Sequence, residues 1–316
     1  MLARMKCVEL TGLGVPISRL GYGSWQLGGH GWGKVSQEDM VRAIRKALDC
    51  GMTFFDTAPV YGLGRSEEIL GEVLGRDRHK VVLATKTGFA WKTGTNCQTY
   101  IDNSPKNIRR EIDQSLKRLR TDYIDLYQIH WPDDDTPIED TIGTMEELRK
   151  AGKIRAIGCC NFPLSLLKEA SQYGNVQTIQ VPYNLIDRSC AADILPYCKD
   201  RGIAVLSYGP TGRGLLTGKY DCETRFGPDD HRSRSGDKYF SGEAFLRHLA
   251  TVEKVKAVAQ RMGCAPAQVA IRWVLQNPCV TTALFGAKTA QQVEENVSAA
   301  DMVLRDEDLR LLEKEV

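Results

Sequence analysis

No run of apolar residues in this chain approaches the roughly 20 that crossing a bilayer requires, so no membrane-spanning helix is expected. Neither sign of charge dominates. The 42 Lys and Arg stand against 40 Asp and Glu, a formal net charge of +2, and no basic block stands out; on electrostatic grounds this disfavours nucleic acid as a partner. The opening stretch MLARMKCVELTG lacks the apolar core and small-residue cleavage site of a signal peptide, so a cytoplasmic location is expected. Metal chemistry finds little support. The ten cysteines have no metal-ligand spacing and no HExxH occurs. Asp133, Asp134 and Asp135 precede a helix start, where acids favour the helix dipole. Cys159 and Cys160 are adjacent and adjacent cysteines rarely bridge, so reduced and mostly buried thiols are expected. A Ser-His-Asp arrangement is missing as well.

What is present is a rhythm. Hydrophobic content of 42% and charged content of 26% are ordinary for a globular chain, and 316 residues would suit two average domains or one (β/α)8 barrel. After a stretch broken by Gly12, Gly14 and Pro16, which suits a small hairpin, strand candidates fall at about 20–23, 53–56, 81–86, 124–130, 154–159, 178–182, 203–208 and 281–285. Helical patterns separate them. Ser36 can cap one helix and Gly51 suits its end, and Ser104-Pro105 opens another. Thr136-Pro137-Ile138-Glu139 reads as a capping box with proline at the first helical position, and Thr289 with Gln292 opens the last crossover helix. Eight short strands with helices between them favour a closed parallel barrel, a TIM barrel with an N-terminal β-hairpin, as one domain over residues 1–316. A dinucleotide-binding doubly wound sheet would need G-x-G-x-x-G after its first strand. The nearest match, Gly209 to Gly214, lacks that spacing and follows the seventh strand. Residues 209–242, polar and Gly-rich, are too long for an ordinary connection and read as a flap over the barrel mouth.

In such a barrel the C-terminal strand ends converge on one mouth. Asp56 ends the second strand and Tyr61 follows in its loop; Lys86 ends the third and His130 the fourth. Taken singly each has a plain structural reading: a turn cap, a loop aromatic, a solvated charge, a packing imidazole. Together they have a chemical use. Tyrosine titrates near pH ~10. A lysine ammonium beside it would lower that value, a carboxylate would hold the lysine charged, and the imidazole could orient a carbonyl oxygen. The set donates a proton and stabilises an oxyanion but has no nucleophile, so the reactive atom must be borrowed, as from a hydride-carrying nicotinamide. Gly286, Lys288 and the helix start at Thr289 with Gln292, Glu295 and Asn296 form a glycine turn, a cation and a capped helix. That is an anion site suited to an adenosine 2′-phosphate, or else an ordinary helix start. Tyr208 could stack on a nicotinamide ring or simply pack.

The stretches FDTAPVYGLGRSEEILG, VVLATK, DYIDLYQIHWPD, IRAIGCCNF, YGPTGRGLLTGK and GAKTAQQVEEN, in this order from about Leu20 to Asn296, resemble the aldo-keto reductase superfamily. The last of them is similar to the glycine-alanine-basic variant of its bacterial, plant and potassium-channel β-subunit-like branches. The resemblance implies a (β/α)8 barrel with NADPH extended across its mouth, NADH being a possible substitute, and a small-molecule carbonyl as substrate. It maps a catalytic tetrad onto Asp56, Tyr61, Lys86 and His130, with Tyr61 as general acid and base. It also implies nicotinamide contacts from Asn161 and Gln180, stacking by Tyr208, and pyrophosphate contacts around Gly209, Gly212 and Gly214. Trp25, Trp91 and Trp131 join Tyr61 and His130 in the expected substrate pocket. The family's usual serine before Asn161 is Cys160 here, and a serine and a leucine often found after the stacking tyrosine are Gly209 and Thr211. A nucleotide-binding redox sensor or regulatory subunit with slow turnover is the alternative reading. A monomer is the default assembly.

Overall fold

Short runs of β-branched and aromatic residues, each entering a turn and then an amphipathic helix, build the molecule from Leu20 onward. The computed structural model describes residues 5–10, 13, 16–29, 31–32, 36–91, 98–233 and 237–314. A hairpin of β1 (Cys7–Glu9) and β2 (Pro16–Ser18) comes first. Eight parallel strands then close into a barrel: β3 (Leu20–Gly23), β4 (Phe54–Asp56), β5 (Val82–Thr87), β8 (Ile124–Ile129), β9 (Ile154–Cys160), β10 (Val176–Pro182), β11 (Ala204–Tyr208) and β12 (Thr282–Phe285), which pairs with β3. The expected (β/α)8 barrel with its N-terminal hairpin is the architecture observed. A further hairpin, β6 (Phe89–Trp91) and β7 (Thr99–Ile101), leaves the end of β5.

The helices around the sheet are α1 (Gln37–Asp49), α2 (Arg65–Leu74), α3 (Pro105–Leu119), α4 (Ile138–Lys150), α5 (Leu164–Tyr173) and α6 (Ile194–Arg201), followed by α7 (Gly242–Met262), α8 (Pro266–Gln276), α9 (Ala290–Val297) and α10 (Asp306–Glu313). Ser36, Ser104 and Thr289 cap α1, α3 and α9, each side chain accepting a backbone N–H from the first turn. The capping box expected at Thr136 does not form. Pro137 takes the cap position of α4 without a side-chain bond, and the Thr136 hydroxyl instead donates to Asp133 Oδ2 at 2.8 Å. Asp133 also accepts from the backbone of Asn103 and Asp135, so this acid ties two loops together.

The inside of the barrel has two levels. Phe54, Val82, Ala84, Leu126, Ala156, Ala204, Leu206 and Leu284 fill its lower part, joined by Leu10 and Ile17 of the hairpin region, both almost completely buried. The hairpin is therefore a floor for the barrel, and each of those two side chains contributes on the order of 1.5–3 kcal/mol by burial. Strand side chains alternate with period two, so the next inward positions up the strands are Asp56, Lys86, Gln128, Cys160, Gln180 and Tyr208. The floor is apolar and the mouth is polar. A larger apolar layer between the sheet and the helices completes the core.

Candidate active site

Asp56 is the hub of the mouth. One oxygen, Oδ1, accepts from Lys86 Nζ at 2.6 Å; the other, Oδ2, accepts from Gln128 Nε2 at 3.0 Å and Gln180 Nε2 at 2.9 Å. Lys86 is wholly buried and also donates to the Thr57 carbonyl at 2.9 Å, with the Tyr61 hydroxyl 3.5 Å away. A buried ion pair persists only where its remaining polar atoms are satisfied, and the two glutamines provide this for Asp56. Gln128 carries no motif of its own. Its position on β8, two residues before His130, puts it on the inward face, but that alternation gives it no role until Asp56 is known to need a donor. Gly158 makes room for it: a Cβ there would come within 2.9 Å of Gln128 Cγ and closer still to Thr178 Oγ1.

The loop after β4 presents Tyr61. Its conformation is fastened by Ser66, whose hydroxyl meets Ser24 Oγ at 2.8 Å and Thr57 Oγ1 at 2.9 Å and donates to the Ser24 carbonyl. Gly28 and Gly62 let two loops touch backbone to backbone; a Cβ on Gly28 would stand 2.6 Å from Gly62 N. This contact brings Trp25 over Tyr61, with ring centroids 6.1 Å apart. His130 meets Tyr61 edge-on at 5.8 Å and Phe89 at 5.1 Å. Asp56, Tyr61, Lys86 and His130 thus lie together, with Trp25 beside them. The described ring neighbours of Tyr61 and His130 are Trp25 and Phe89, whereas Trp131 is exposed and Trp91 pairs with Thr99 in the β6–β7 hairpin.

The electrostatics differ from expectation in one respect. Lys86 was expected to bring the Tyr61 pKa down, and its charge does act in that direction. Burial acts harder, with Asp56 adding to it, and the phenol is pushed up to about 12. Lys86 itself loses from burial, but Asp56 and Tyr61 outweigh the loss and hold its pKa above the usual lysine value. Burial and then Lys86 depress His130 well below the normal imidazole range, so the ring is neutral at physiological pH. The site holds a protonated phenol, an ammonium and a neutral imidazole.

Farther round the mouth, Asn161 sits at φ +60° and bridges neighbours: its Nδ2 donates to the His130 carbonyl at 3.0 Å and its Oδ1 accepts from Tyr208 OH at 2.9 Å. Gln180, Asn161 and Tyr208 therefore form one network with the tetrad. The turn after β11 is tight. Gly209, Gly212 and Gly214 all have positive φ, and the N–H groups of Gly212 and Gly214 donate to the carbonyls of Gly209 and Thr211. The chain beyond it reaches back to the loop after β3: His231 N donates to the Gly31 carbonyl at 3.0 Å, and the His231 ring lies 5.0 Å from that of Trp25. Sequence reasoning did not find that imidazole.

Beyond Gly286, the half-buried Lys288 holds its backbone N–H to Gln292 Oε1 at 2.7 Å and its Nζ to the Trp32 carbonyl. Burial, then the nearby charges of Arg232 and Lys219, lower its pKa. Three cations converge there, with Asp230 engaged by Arg232 at 2.6 Å. Asn296, at the far end of α9, is buried and its Oδ1 has no hydrogen-bond partner. A buried orphan acceptor one helix-length from a cationic turn fits the adenine and phosphate ends of a dinucleotide. Glu295 is exposed, its carbonyl accepting from Gln268 Nε2.

The model of the aldo/keto reductase family matches residues 19–315. The chain is 42% identical to the aldo-keto reductase YhdN of Bacillus subtilis over 96% of its own length and 91% of that protein's. It is 36% identical to an NADH-specific methylglyoxal reductase of Escherichia coli, covering 98% of this chain and 97% of that one. Among solved structures, a glycerol dehydrogenase from Gluconobacter oxydans superposes with a TM-score of 0.89 at 39% identity, over 97% of this chain and 93% of that chain.

Proposed function

We propose, from the premise that this chain belongs to the aldo/keto reductase family, that it reduces aldehydes and ketones with NADPH and that Tyr61 supplies the proton. Membership makes it an oxidoreductase of carbonyl and alcohol groups that works with a nicotinamide cofactor. The finer reading rests above all on one observation: a phenol kept protonated beside a buried, wholly satisfied Lys86–Asp56 pair. The bound cofactor supplies the hydride. As the carbonyl oxygen gains charge, Tyr61 OH gives it a proton, and Lys86 stabilises the phenolate that is left. Asp56, held by Gln128 and Gln180, keeps Lys86 aimed at Tyr61. Neutral His130 donates an N–H to the same oxygen and fixes its direction. In alcohol oxidation the Tyr61 phenolate takes the proton back.

Asn161, Gln180 and Tyr208 are read as the nicotinamide end, Gly209, Gly212 and Gly214 as the turn beside the pyrophosphate, and Gly286, Lys288, Gln292, Glu295 and Asn296 as the adenosine end. Lys219 and Arg232 beside Lys288 favour NADPH, and the name of the E. coli relative keeps NADH in view. Trp25 and His231 bound the substrate space, with Trp91 and Trp131 at its outer rim. We read the chain as one domain over residues 1–316, a cytoplasmic monomer with a flap over its mouth after β11; among the described residues no helix is long and apolar enough to cross a membrane. The test is consumption of NADPH and of NADH by purified protein with a panel of small aliphatic and aromatic aldehydes. Turnover with faster use of NADPH is expected. Tight nucleotide binding without turnover would instead make the chain a nucleotide sensor.

A further inference from the structure

Behind the tetrad lies a carboxyl group that the chemistry above does not use. Glu111, on α3, is 2% exposed. Its Oε2 accepts from Thr87 Oγ1 at 2.6 Å, from Gly88 N at 2.7 Å and from Asn107 Nδ2 at 3.2 Å. Thr87 and Gly88 directly follow Lys86. The Thr87 carbonyl in turn accepts from His130 N at 3.0 Å. Gly88, at φ +98°, turns the chain so that Phe89 packs edge-on to the His130 ring. One carboxylate oxygen thus gathers the exit of β5 and, through it, both the backbone and the ring anchors of His130.

The other oxygen of Glu111 is buried without a hydrogen-bond partner, and the hydroxyl of Tyr127 on β8, which also meets Thr87, lies close enough to feel the Glu111 charge. The surrounding charges compensate little. Arg110 on α3 favours the ionised carboxyl and Glu67 on α2 opposes it, while Glu67 is itself engaged by Arg118 at 2.6 Å and by Thr85 Oγ1 at 2.7 Å. Burial, above all, pushes Glu111 up to about 7, against the hydrogen bonds from Thr87 and Gly88.

We propose that Glu111 is a positioning residue: by gripping Thr87 and Gly88 it sets the placement of Lys86 and His130, and it grips more firmly ionised than protonated. The inference rests on the reading of the tetrad given above. Hydrogen bonds to an ionised acceptor are roughly twice as strong as those to a neutral one, so the exit of β5 is tightest when Glu111 carries its charge.

The experiment measures kcat and KM for aldehyde reduction from pH 5.5 to 9 in wild type, Glu111→Gln and Glu111→Ala, with Tyr61→Phe alongside. Wild-type kcat should fall severalfold as pH drops through about 7. Glu111→Gln, a neutral acceptor of similar shape, should stay at the acid plateau across the range with the inflection gone. Glu111→Ala should lose about tenfold to a hundredfold in kcat, as small misplacements do, while the cofactor KM changes less than about twofold. An inflection that persists unchanged in Glu111→Gln, or a Glu111→Ala variant with wild-type kcat, would overturn the proposal. If Glu111→Ala does not fold, the profile of Glu111→Gln decides alone. Full activity in Tyr61→Phe would instead remove the reading of the tetrad, and this inference with it.

Discussion

Tyr61 keeps its proton because burial outweighs an ammonium 3.5 Å away. A phenol held up to about 12 remains a proton donor at every pH an enzyme meets, whereas its phenolate is scarce at neutrality and grows tenfold per pH unit. Alcohol oxidation should therefore rise about tenfold per unit from pH 6 to 10 in initial-rate assays, while reduction shows no matching loss. An oxidation rate flat over that range would mean another group takes the proton. The sign for stability agrees. The folded pKa lies above the unfolded one, so the protonated phenol contributes fully below about pH 10 and that contribution is lost as pH rises through 12. At this scale the convergence of Asp56, Tyr61, Lys86 and His130 was legible because each ends or follows a strand. Gln128 was not, because a glutamine inside a strand carries no chemistry until the carboxylate it satisfies is in view. The direction of the Tyr61 shift was not legible either, since neighbours can be guessed from strand order but depth of burial cannot.

Elements turn these residues into a site. β4, β5 and β8 are consecutive neighbours in the sheet, so Asp56, Lys86 and Gln128 fall on adjacent inward positions without any loop having to place them. Helix starts were readable where the cap is local, at Ser36, Ser104 and Thr289. They misled at Thr136 because a carboxylate three residues earlier captured the hydroxyl. The turn from β12 into α9 carries the cofactor prediction. Lys288→Ala should raise the Kd for NADPH by about tenfold or more, the scale of one charge-assisted contact to phosphate, and leave the Kd for NADH within about threefold. Tryptophan quenching during nucleotide titration reads both. Equal weakening of the two would show that Lys288 does not sense the 2′-phosphate, leaving Lys219 and Arg232 as the cations to examine.

Across the whole molecule, the closed sheet was legible from eight short strand-like runs separated by helical patterns, since a parallel sheet buried on both faces needs such runs. The role of the N-terminal hairpin was not. Nothing in Leu10 or Ile17 announces that they close the barrel floor until the circle of strands exists to be plugged. The segment after β11 reads as a flap from its length and composition, but its partners Gly31 and Trp25 do not, because that is a contact between distant parts of the chain. The fold thus separates two tasks, an apolar floor that stabilises and a polar mouth that reacts, and the central claim concerns one atom of that mouth. Tyr61→Phe removes the hydroxyl and little else. The most direct measurement is its rate of aldehyde reduction at saturating NADPH, taken with its nucleotide affinity. Affinity within about threefold of wild type and a turnover lower by about 10²–10⁴ is the expected result; retention of most of the activity would contradict the assignment of Tyr61 as the proton donor.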